Sequence, residues 1–231
     1  ILSRQQRDDV ESHLQYFLEL DPFVVNLSEK KYWVRSLYYD TDDYAAFHDK
    51  IDGLMLRHKF RIRTYKTEPE GDAPVFLEVK GRNNNLVYKH RTPVDVSSWE
   101  NYRGSALSQY VLAHAVQGAV SDNFAYSLMR HRIKPVAVID YRRRAYISKY
   151  DASFRLTFDD SLYGYRTDRV FPAAHAPRRS VLSGYTILEI KFHRHVPAWF
   201  HRVIQAHQLK RQSVSKICRG MEVLDMVYDE S

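Results

Sequence analysis

Apolar and charged residues alternate along much of the chain with the period of two that is typical of β-strands. In the segment 59–65, Phe60 and Ile62 alternate with Arg61 and Arg63. The same habit recurs in six segments, at residues 59–65, 76–80, 87–91, 140–146, 154–159 and 187–193. In the fourth of these segments basic side chains occupy both faces. We therefore expect an antiparallel sheet that buries one face and presents charge on the other.

Helical spacing of apolar residues separates these strands into groups. Ser3 and Gln6 form a capping-box pattern, and the helix that follows is expected to end near Leu20. A short helix is predicted after the Asp40–Thr41 pair and should stop at Gly53. Further helices are predicted over about residues 97–131, from Pro197 and from Ser215. Strands and helices in this arrangement indicate an α+β fold with helices packed against a sheet.

The organisation of the chain favours a single domain. No segment rich in Gly, Ser or Pro marks a linker, and no tract is of low complexity. The related stretches "FLEVKGR" and "ILEIKFHR" each carry a Glu-Lys pair, which suggests two related halves. The remaining similarity between the halves is too weak to define a repeat, so we predict one domain over residues 1–231.

Three features of the sequence bear on where the protein works. The single cysteine, Cys218, excludes an internal disulfide and favours a reducing compartment. No apolar run approaches the roughly 20 residues that a membrane-spanning helix needs. No basic leader is followed by an apolar stretch, as it would be in a signal peptide. We expect a cytoplasmic protein.

The chain is basic, since 35 Lys and Arg against 28 Asp and Glu give a formal charge of +7. Such an excess favours an anionic partner, namely nucleic acid, a nucleotide, polyphosphate or an acidic membrane. It is also compatible with a charge that serves solubility alone. The placement of the charges has to decide between these interpretations.

The charged face of the predicted sheet is mostly cationic. Lys59, Arg61 and Arg63 share one face of their strand, and Lys89 shares a face with Arg91. Alternation alone is the default of a half-exposed antiparallel sheet, but an ordinary solvated face would mix neutral polar residues with both signs of charge. If the sheet closes, these cations line a barrel or tunnel and require a ligand with several negative charges.

Carboxylates interrupt the cationic face at two places. Glu78 lies beside Lys80, and Glu189 lies beside Lys191, in each case on the charged side of the strand. Carboxylate oxygens aimed at a phosphate site are suited to hold Mg²⁺ or Mn²⁺, which would bridge the phosphate groups. The pattern therefore predicts a phosphate-binding tunnel with a metal site.

Other motifs for phosphate or metal binding are absent from the sequence or less specific. The sequence contains neither GxxxxGK[ST] nor GxGxxG, so a glycine-rich phosphate loop is not expected. The eleven histidines show no spacing typical of zinc. Ser215 and Lys216 at the start of a predicted helix are compatible with phosphate binding at the helix N-terminus and with an ordinary cap.

The ordered set of these segments resembles a known family. The stretches "VRSLYYDTDDYAAFHDKIDGLMLRHKFRIRTY", "VFLEVKGR", "VYKHR", "DYRRRAY", "FRLTFD", "LEIK" and "SVSKICRG" are similar, in this order, to the VTC domain, the polyphosphate polymerase domain of the triphosphate tunnel metalloenzyme superfamily. The resemblance covers nearly the whole chain. It implies a closed antiparallel β-barrel, the triphosphate tunnel fold, with helices packed outside.

The resemblance also implies roles for individual residues. Cations that bind and align phosphate groups correspond to Arg61, Arg63, Lys80, Lys89, Arg143, Arg155 and Lys216. Further phosphate contacts are expected from Tyr141, Ser215, Arg91 and Lys191. Glu189 corresponds to the metal-binding glutamate, and Glu78 is a second candidate for the metal or a balance for local charge. The metal implied is Mn²⁺ or Mg²⁺.

Two departures from the family pattern change what is expected. The family usually opens with a strand that carries a basic residue, a Glu and a Lys before the first helix, and the printed sequence starts after it. A strand of that kind preceding Ile1 would complete the tunnel. Some members also carry a Lys two residues before the Ser of the Ser-Lys motif, and Ser213 stands there in this chain.

The resulting functional hypothesis is a metal-dependent enzyme that transfers the γ-phosphoryl group of ATP to polyphosphate. A tunnel triphosphatase, with water as the acceptor, and a non-catalytic module that binds polyphosphate or nucleotide remain as alternatives. A nucleic-acid partner is not expected, because it would call for an exposed basic patch with stacking aromatics. Membrane-protein subunits are possible partners, and the sequence leaves the oligomeric state open.

Overall fold

A computed structural model describes residues 1–69, 73–84, 86–96 and 102–227 of the chain. The strands are β1 (Leu2–Ser3), β2 (Leu18–Leu20), β3 (Tyr32–Asp40), β4 (Leu56–Thr64), β5 (Val75–Asn83), β6 (Leu86–Pro93), β7 (Lys134–Ser148), β8 (Arg155–Arg166), β9 (Arg179–Val181) and β10 (Tyr185–Lys191). The helices are α1 (Arg4–Leu14), α2 (Pro22–Val25), α3 (Ala45–Ile51), α4 (Gly104–His114), α5 (Ala119–Arg130), α6 (Ala198–Ala206) and α7 (Lys216–Val223).

The ten strands form one large sheet, and the α+β class is confirmed. Its strand order is β1-β10-β8-β7-β3-β4-β5-β6, with β2 paired to β7 and β9 paired to β8. The expected closure into a barrel is wrong for this structure, because β1 and β6 do not pair with each other within the described residues. A physical reason lies in β1, which is two residues long and offers too few backbone groups for a closing ladder.

The chain divides into two compact units, each built from separate segments. Unit 1 comprises residues 1–33, 141–162 and 180–215, and unit 2 comprises the remainder. The long strands β3 and β7 contribute residues to both units. Whether the units act as the single predicted domain stays a prediction.

The core of unit 1 lies between helices α1 and α6 and the apolar side of β8 and β10. Leu14, Phe154, Phe158 and Phe200 are essentially excluded from solvent in this core. Ile190 of β10 packs against them, as the period-two pattern predicts.

The core of unit 2 packs helices α4 and α5 against the apolar side of β3 to β6. Phe60, Ile62 and Leu77 from the strands meet Leu107 of α4 and Phe124 of α5. Because these residues occupy alternate strand positions, the charged residues between them are directed to the opposite face.

The chain start combines a confirmed and a wrong prediction. Ser3 caps α1 through a capping box with Gln6, as predicted. The helix ends at Leu14, however, and Leu18–Leu20 forms β2 against β7 instead of a last helical turn. Burial of Leu18 in the unit 1 core and ladder bonds to a distant strand explain this difference. The spacing of apolar residues along the chain reports neither.

The short helix α3 begins as the Asp40–Thr41 pair predicts. The Asp40 carboxylate accepts hydrogen bonds from the backbone N–H groups of Thr41, Ala46 and Phe47, and the Thr41 hydroxyl accepts one from Ala45. These bonds satisfy the first turn of the helix and fix the chain reversal that leads into β4.

Two further comparisons with the sequence concern long segments. The helical region expected over residues 97–131 is observed as α4 and α5, and its first five residues lie outside the described part of the chain. Among the helices described, none is long and apolar enough to cross a membrane.

Candidate functional site

In unit 2, the register of β4, β5 and β6 assembles basic residues around one carboxylate. Glu78 of β5 lies directly opposite Arg61 of β4 on one side and Arg91 of β6 on the other. Residues at alternate positions share its face, which we call the cationic face and define by Lys59, Arg61, Arg63, Lys80, Lys89 and Arg91.

The Glu78 carboxylate is completely buried and is held by three cations. Its Oε2 accepts a hydrogen bond of 2.7 Å from Arg61 Nε and lies 3.6 Å from Arg63 Nη1. Its Oε1 lies 2.9 Å from Lys89 Nζ. Charge-assisted contacts of this length are the strong ones, so one carboxylate fixes the direction of several cationic side chains.

The electrostatics of the cluster follow from this geometry. Burial acts to raise the pKa of Glu78, but the charges of Arg63 and Arg61 and the contact with Lys89 outweigh it and lower the pKa to about 2. For Lys89, burial lowers the pKa and outweighs the contact with Glu78, which acts to raise it. Glu78 is thus a permanent anion at neutral pH, surrounded by more positive charge than it can balance.

Lysines lie in a row across the same three strands. Lys59 of β4 is directly opposite Lys80 of β5, and Lys80 is directly opposite Lys89 of β6. Like charges at directly opposite positions are destabilising in a sheet. The row therefore indicates a surface arranged for an anionic ligand.

Tyr38 of β3 completes the unit 2 site. Its hydroxyl accepts a hydrogen bond of 3.0 Å from Arg61 Nη1. Burial acts to raise the pKa of Tyr38, but the charges of Arg61, Arg63 and Lys216 leave it lowered. Lys216, the first residue of α7, thus acts on the same cluster as the β4 arginines.

In unit 1, the corresponding feature is an arginine between two carboxylates. Arg143 of β7 donates two hydrogen bonds to Asp159 of β8, Nε to Oδ1 at 2.6 Å and Nη2 to Oδ2 at 2.7 Å. Asp159 is completely buried. The guanidinium also lies over the ring of the buried Tyr141, 5.3 Å from its centroid. This bidentate pair is rigid.

Glu189 of β10 lies at the edge of this pair. Its Oε2 is 3.5 Å from Arg143 Nη2, and its Oε1 is 3.9 Å from Lys191 Nζ. Its side chain is 41% exposed, whereas that of Asp159 is fully buried. Glu189 therefore presents a partly solvated carboxylate that is held at longer distances than Asp159.

Arg155 and Ser215, both expected to contact phosphate, lie in unit 1. Arg155 forms an ion pair with Asp21, the residue that caps α2, and its side chain is 53% exposed. Ser215 directly precedes α7 and is partly buried. The structure brings Arg143, Tyr141 and Glu189 together, and it gives Arg155 a carboxylate partner that the sequence did not suggest.

The two metal candidates differ in how well they fit a divalent ion. Within the described residues, no three His, Cys, Asp or Glu side chains come together in an arrangement that holds a metal. Mg²⁺ commonly takes one or two protein carboxylates and completes its shell with water and substrate phosphates. Glu189, partly exposed, fits that role. Glu78 does not fit it, because its oxygens lie against three cations.

Sequence reasoning missed the partners of the site residues more often than the residues themselves. The signal for Asp159 was available, since it shares a strand face with Arg155 and Thr157. The link from Asp21 to Arg155 spans 134 positions and leaves no local pattern. Tyr38 could have been found from its place opposite Arg61, once the register was known.

Comparisons with known proteins agree with the fold. A candidate adenylate cyclase from Bacillus halodurans superposes with a TM-score of 0.53 at 14% identity, over 93% of this chain and 90% of that one. A protein from Pyrococcus horikoshii aligns over 94% of this chain and 85% of that one at 15% identity, with a TM-score of 0.37. At these identities only the first likeness carries weight, and it speaks for the fold alone.

The sequence itself gives a more specific match. The family model for the VTC domain matches residues 1–225. No curated protein sequence matches this chain.

Proposed function

The chain belongs to the VTC domain family, and from that premise we propose that it transfers the γ-phosphoryl group of ATP to a growing polyphosphate chain. The substrates would be ATP and inorganic polyphosphate, and the reaction would depend on Mn²⁺ or Mg²⁺. The expected cytoplasmic location and membrane-protein partners stay predictions.

The observation that carries the proposal is the excess of positive charge on the cationic face of unit 2. One buried carboxylate, Glu78, is contacted by Arg61, Arg63 and Lys89, and Lys80 adds a further charge beside them. Neighbouring cations at this density are stabilised by a ligand with several anionic groups. A chain of phosphates supplies such a row of charges, and arginine matches phosphate oxygens with paired N–H donors.

The chemistry would need no covalent intermediate on the protein. A terminal phosphate oxygen of the polyphosphate acceptor forms a bond to the γ-phosphorus of ATP, and the bond from that phosphorus to the β,γ-bridging oxygen breaks. The products are ADP and a polyphosphate chain one residue longer. Arg61, Arg63, Lys80 and Lys89 would neutralise the phosphates and align them, with Lys216 adding to the same charge.

In unit 1, Glu189 would hold the divalent ion, which supplies charge neutralisation on phosphate oxygens when bound. Arg143 would keep its guanidinium fixed through Asp159 and so present a preorganised charge. Further phosphate contacts are proposed from Tyr141, Arg155, Lys191 and Ser215 in unit 1 and from Arg91 in unit 2.

The test is incubation with ATP and Mn²⁺, followed by a gel that resolves polyphosphate by length. We expect long polyphosphate from the wild-type protein and a loss of at least about 100-fold in Arg61→Ala and Lys216→Ala, as for removal of electrostatic transition-state contacts. Lys134→Ala is the matched control, because Lys134 is a half-exposed cation of unit 2 that pairs with Asp42.

The gel also separates the alternative functions. Release of orthophosphate without chain growth would replace the polymerase with a triphosphatase. Binding of polyphosphate without turnover of ATP would show that the protein is a non-catalytic binding module. Equal product from the wild-type protein and from Arg61→Ala would contradict the role of the cationic face.

A further inference from the structure

The strands that carry the cationic face have a second, different surface on their other side. A cavity of about 620 Å³ lies there in unit 2, between β4, β5 and β6 and helix α5. Pockets for small ligands have volumes of roughly 300 to 1,000 Å³. The cavity is therefore large enough for an organic molecule.

The walls of the cavity are aromatic. Tyr88 of β6 lies directly against the backbone of Gly81, where a Cβ atom would come within 2.0 Å of the tyrosine Cζ. Its ring lies 5.7 Å from that of His90 at an interplanar angle of 30°. On the side of α5, Tyr126 and His131 pair edge to face at 5.6 Å. Flat rings of this kind stack on planar ligands.

Polar groups without full charge accompany these rings. Asn123, which is exposed, and Ser127, which is buried, line the cavity from α5. Burial and the neighbouring His131 lower the pKa of His58, so its imidazole is neutral near pH 7 and can both donate and accept a hydrogen bond. Amide, hydroxyl and imidazole groups can pair with the polar edge of a heterocycle.

Two residues of the cationic face, Lys89 and Arg91, also line the cavity, but their charged ends are held against partners on the opposite side of the sheet. Lys89 Nζ contacts Glu78 on the cationic face, and the Arg91 guanidinium lies 4.5 Å from the centroid of the Phe76 ring on that face. Because strand side chains alternate, the rings of Tyr88 and His90 lie on the cavity side, and the charged ends of Lys89 and Arg91 lie on the other side. This separation disfavours a phosphate ligand and favours an uncharged one.

We propose that this cavity binds an uncharged planar heterocycle of the nucleoside class, stacked on Tyr88 and Tyr126. The site lies on the other side of the strands from the charged ends of the cationic face, and this proposal does not rest on the proposed function. Stacking of the heterocycle on the tyrosine rings supplies the affinity, and Asn123 and Ser127 form hydrogen bonds to its polar edge.

The experiment is a calorimetric titration of the protein with adenosine, guanosine, cytidine and uridine, none of which carries a phosphate. We expect at least one to bind, and Tyr126→Ala to weaken it at least about tenfold, as the loss of one stacked ring does. Tyr126 is 58% exposed, so its truncation should leave the fold intact. Tyr16→Ala, at a tyrosine that is 68% exposed in unit 1, is the matched control.

A second variant tests the cavity from the strand side. Gly81→Ala places a methyl group where the Tyr88 ring lies and should displace that ring, with a similar loss of nucleoside affinity. Saturating tripolyphosphate should leave nucleoside binding unchanged. Failure of all four nucleosides to bind, equal binding by Tyr126→Ala and wild type, or displacement by tripolyphosphate would each overturn the proposal.

Discussion

The two charged clusters of this protein are built in the same way but differ in their balance of charge. Each centres on a completely buried carboxylate, Glu78 in unit 2 and Asp159 in unit 1, that fixes an arginine from a neighbouring strand. Around Glu78 the cations outnumber the carboxylate, whereas in unit 1 the carboxylates Asp159 and Glu189 are matched by two cations, Arg143 and Lys191. The comparison teaches that the balance of charge around the ion pair, more than the ion pair itself, indicates what each cluster binds.

The charge balance of each cluster favours a different ligand. Unit 2 can accept an anion without losing the bonds that hold Glu78, because Lys80 and Lys89 add charge at neighbouring positions. Unit 1 can accept a cation at Glu189, whose contacts to Arg143 and Lys191 are longer than the Asp159 contacts. The predictions below test whether the two clusters bind different ligands.

The largest effect is expected from removal of the unit 1 arginine. Arg143→Leu leaves the buried Asp159 without its bidentate partner and should lower the free energy of unfolding by about 3–5 kcal/mol. Arg142→Leu, one residue away, removes a cation whose partner Glu29 is largely exposed, so about 1 kcal/mol or less is expected. Chemical denaturation measures both. Similar losses in the two variants would show that Asp159 does not depend on Arg143.

The second largest effect is a pH dependence of the free energy of unfolding that arises from Glu78 in unit 2. The pKa of Glu78 is lowered to about 2 in the folded protein, so the carboxylate stabilises the fold above its ordinary pKa of 4.5. That contribution, about 3 kcal/mol, is lost as the pH falls from near 4.5 towards 2. Glu78→Gln should lack this part of the acid response. Denaturation curves over pH 2–6 that run parallel for both proteins would contradict the assignment.

A smaller effect is expected from the row of lysines. Lys80→Ala should weaken tripolyphosphate binding about tenfold, or about 1.4 kcal/mol. It should leave the stability of the ligand-free protein unchanged or slightly higher, because Lys80 faces Lys59 and Lys89. Titration calorimetry with a metal chelator present measures the affinity, and Lys134→Ala is the control. A loss of stability without loss of affinity would assign Lys80 a structural role.

The sequence allowed part of this comparison to be predicted. The period-two pattern was enough to place Arg61, Arg63 and Glu78 on one face, because side-chain direction in a strand is a local property. The cap at Asp40 was readable for the same reason, since its partners are at most seven residues away.

What the sequence could not show depends on distant pairing. The bond from Arg155 to Asp21, the strand at Leu18–Leu20 and the open ends of the sheet are set by segments far apart in the chain. The charge balance of each cluster also depends on register, which decides whether Glu78 lies opposite Arg61 or opposite a neighbouring residue. Residue types alone therefore indicated phosphate and metal but not which carboxylate suits the metal.

The central claim is that the cationic face of unit 2 supplies the main contacts to the polyanion and that Glu189 of unit 1 binds the divalent ion, and a crossed binding measurement tests it most directly. Tripolyphosphate affinity is measured by calorimetry in chelator, and Mn²⁺ affinity is measured by electron paramagnetic resonance in phosphate-free buffer, for Arg61→Ala and Glu189→Gln. We predict that Arg61→Ala loses at least about tenfold in tripolyphosphate affinity with Mn²⁺ binding unchanged, and that Glu189→Gln does the reverse. Equal losses of both ligands in both variants, or no loss in either, would contradict the account.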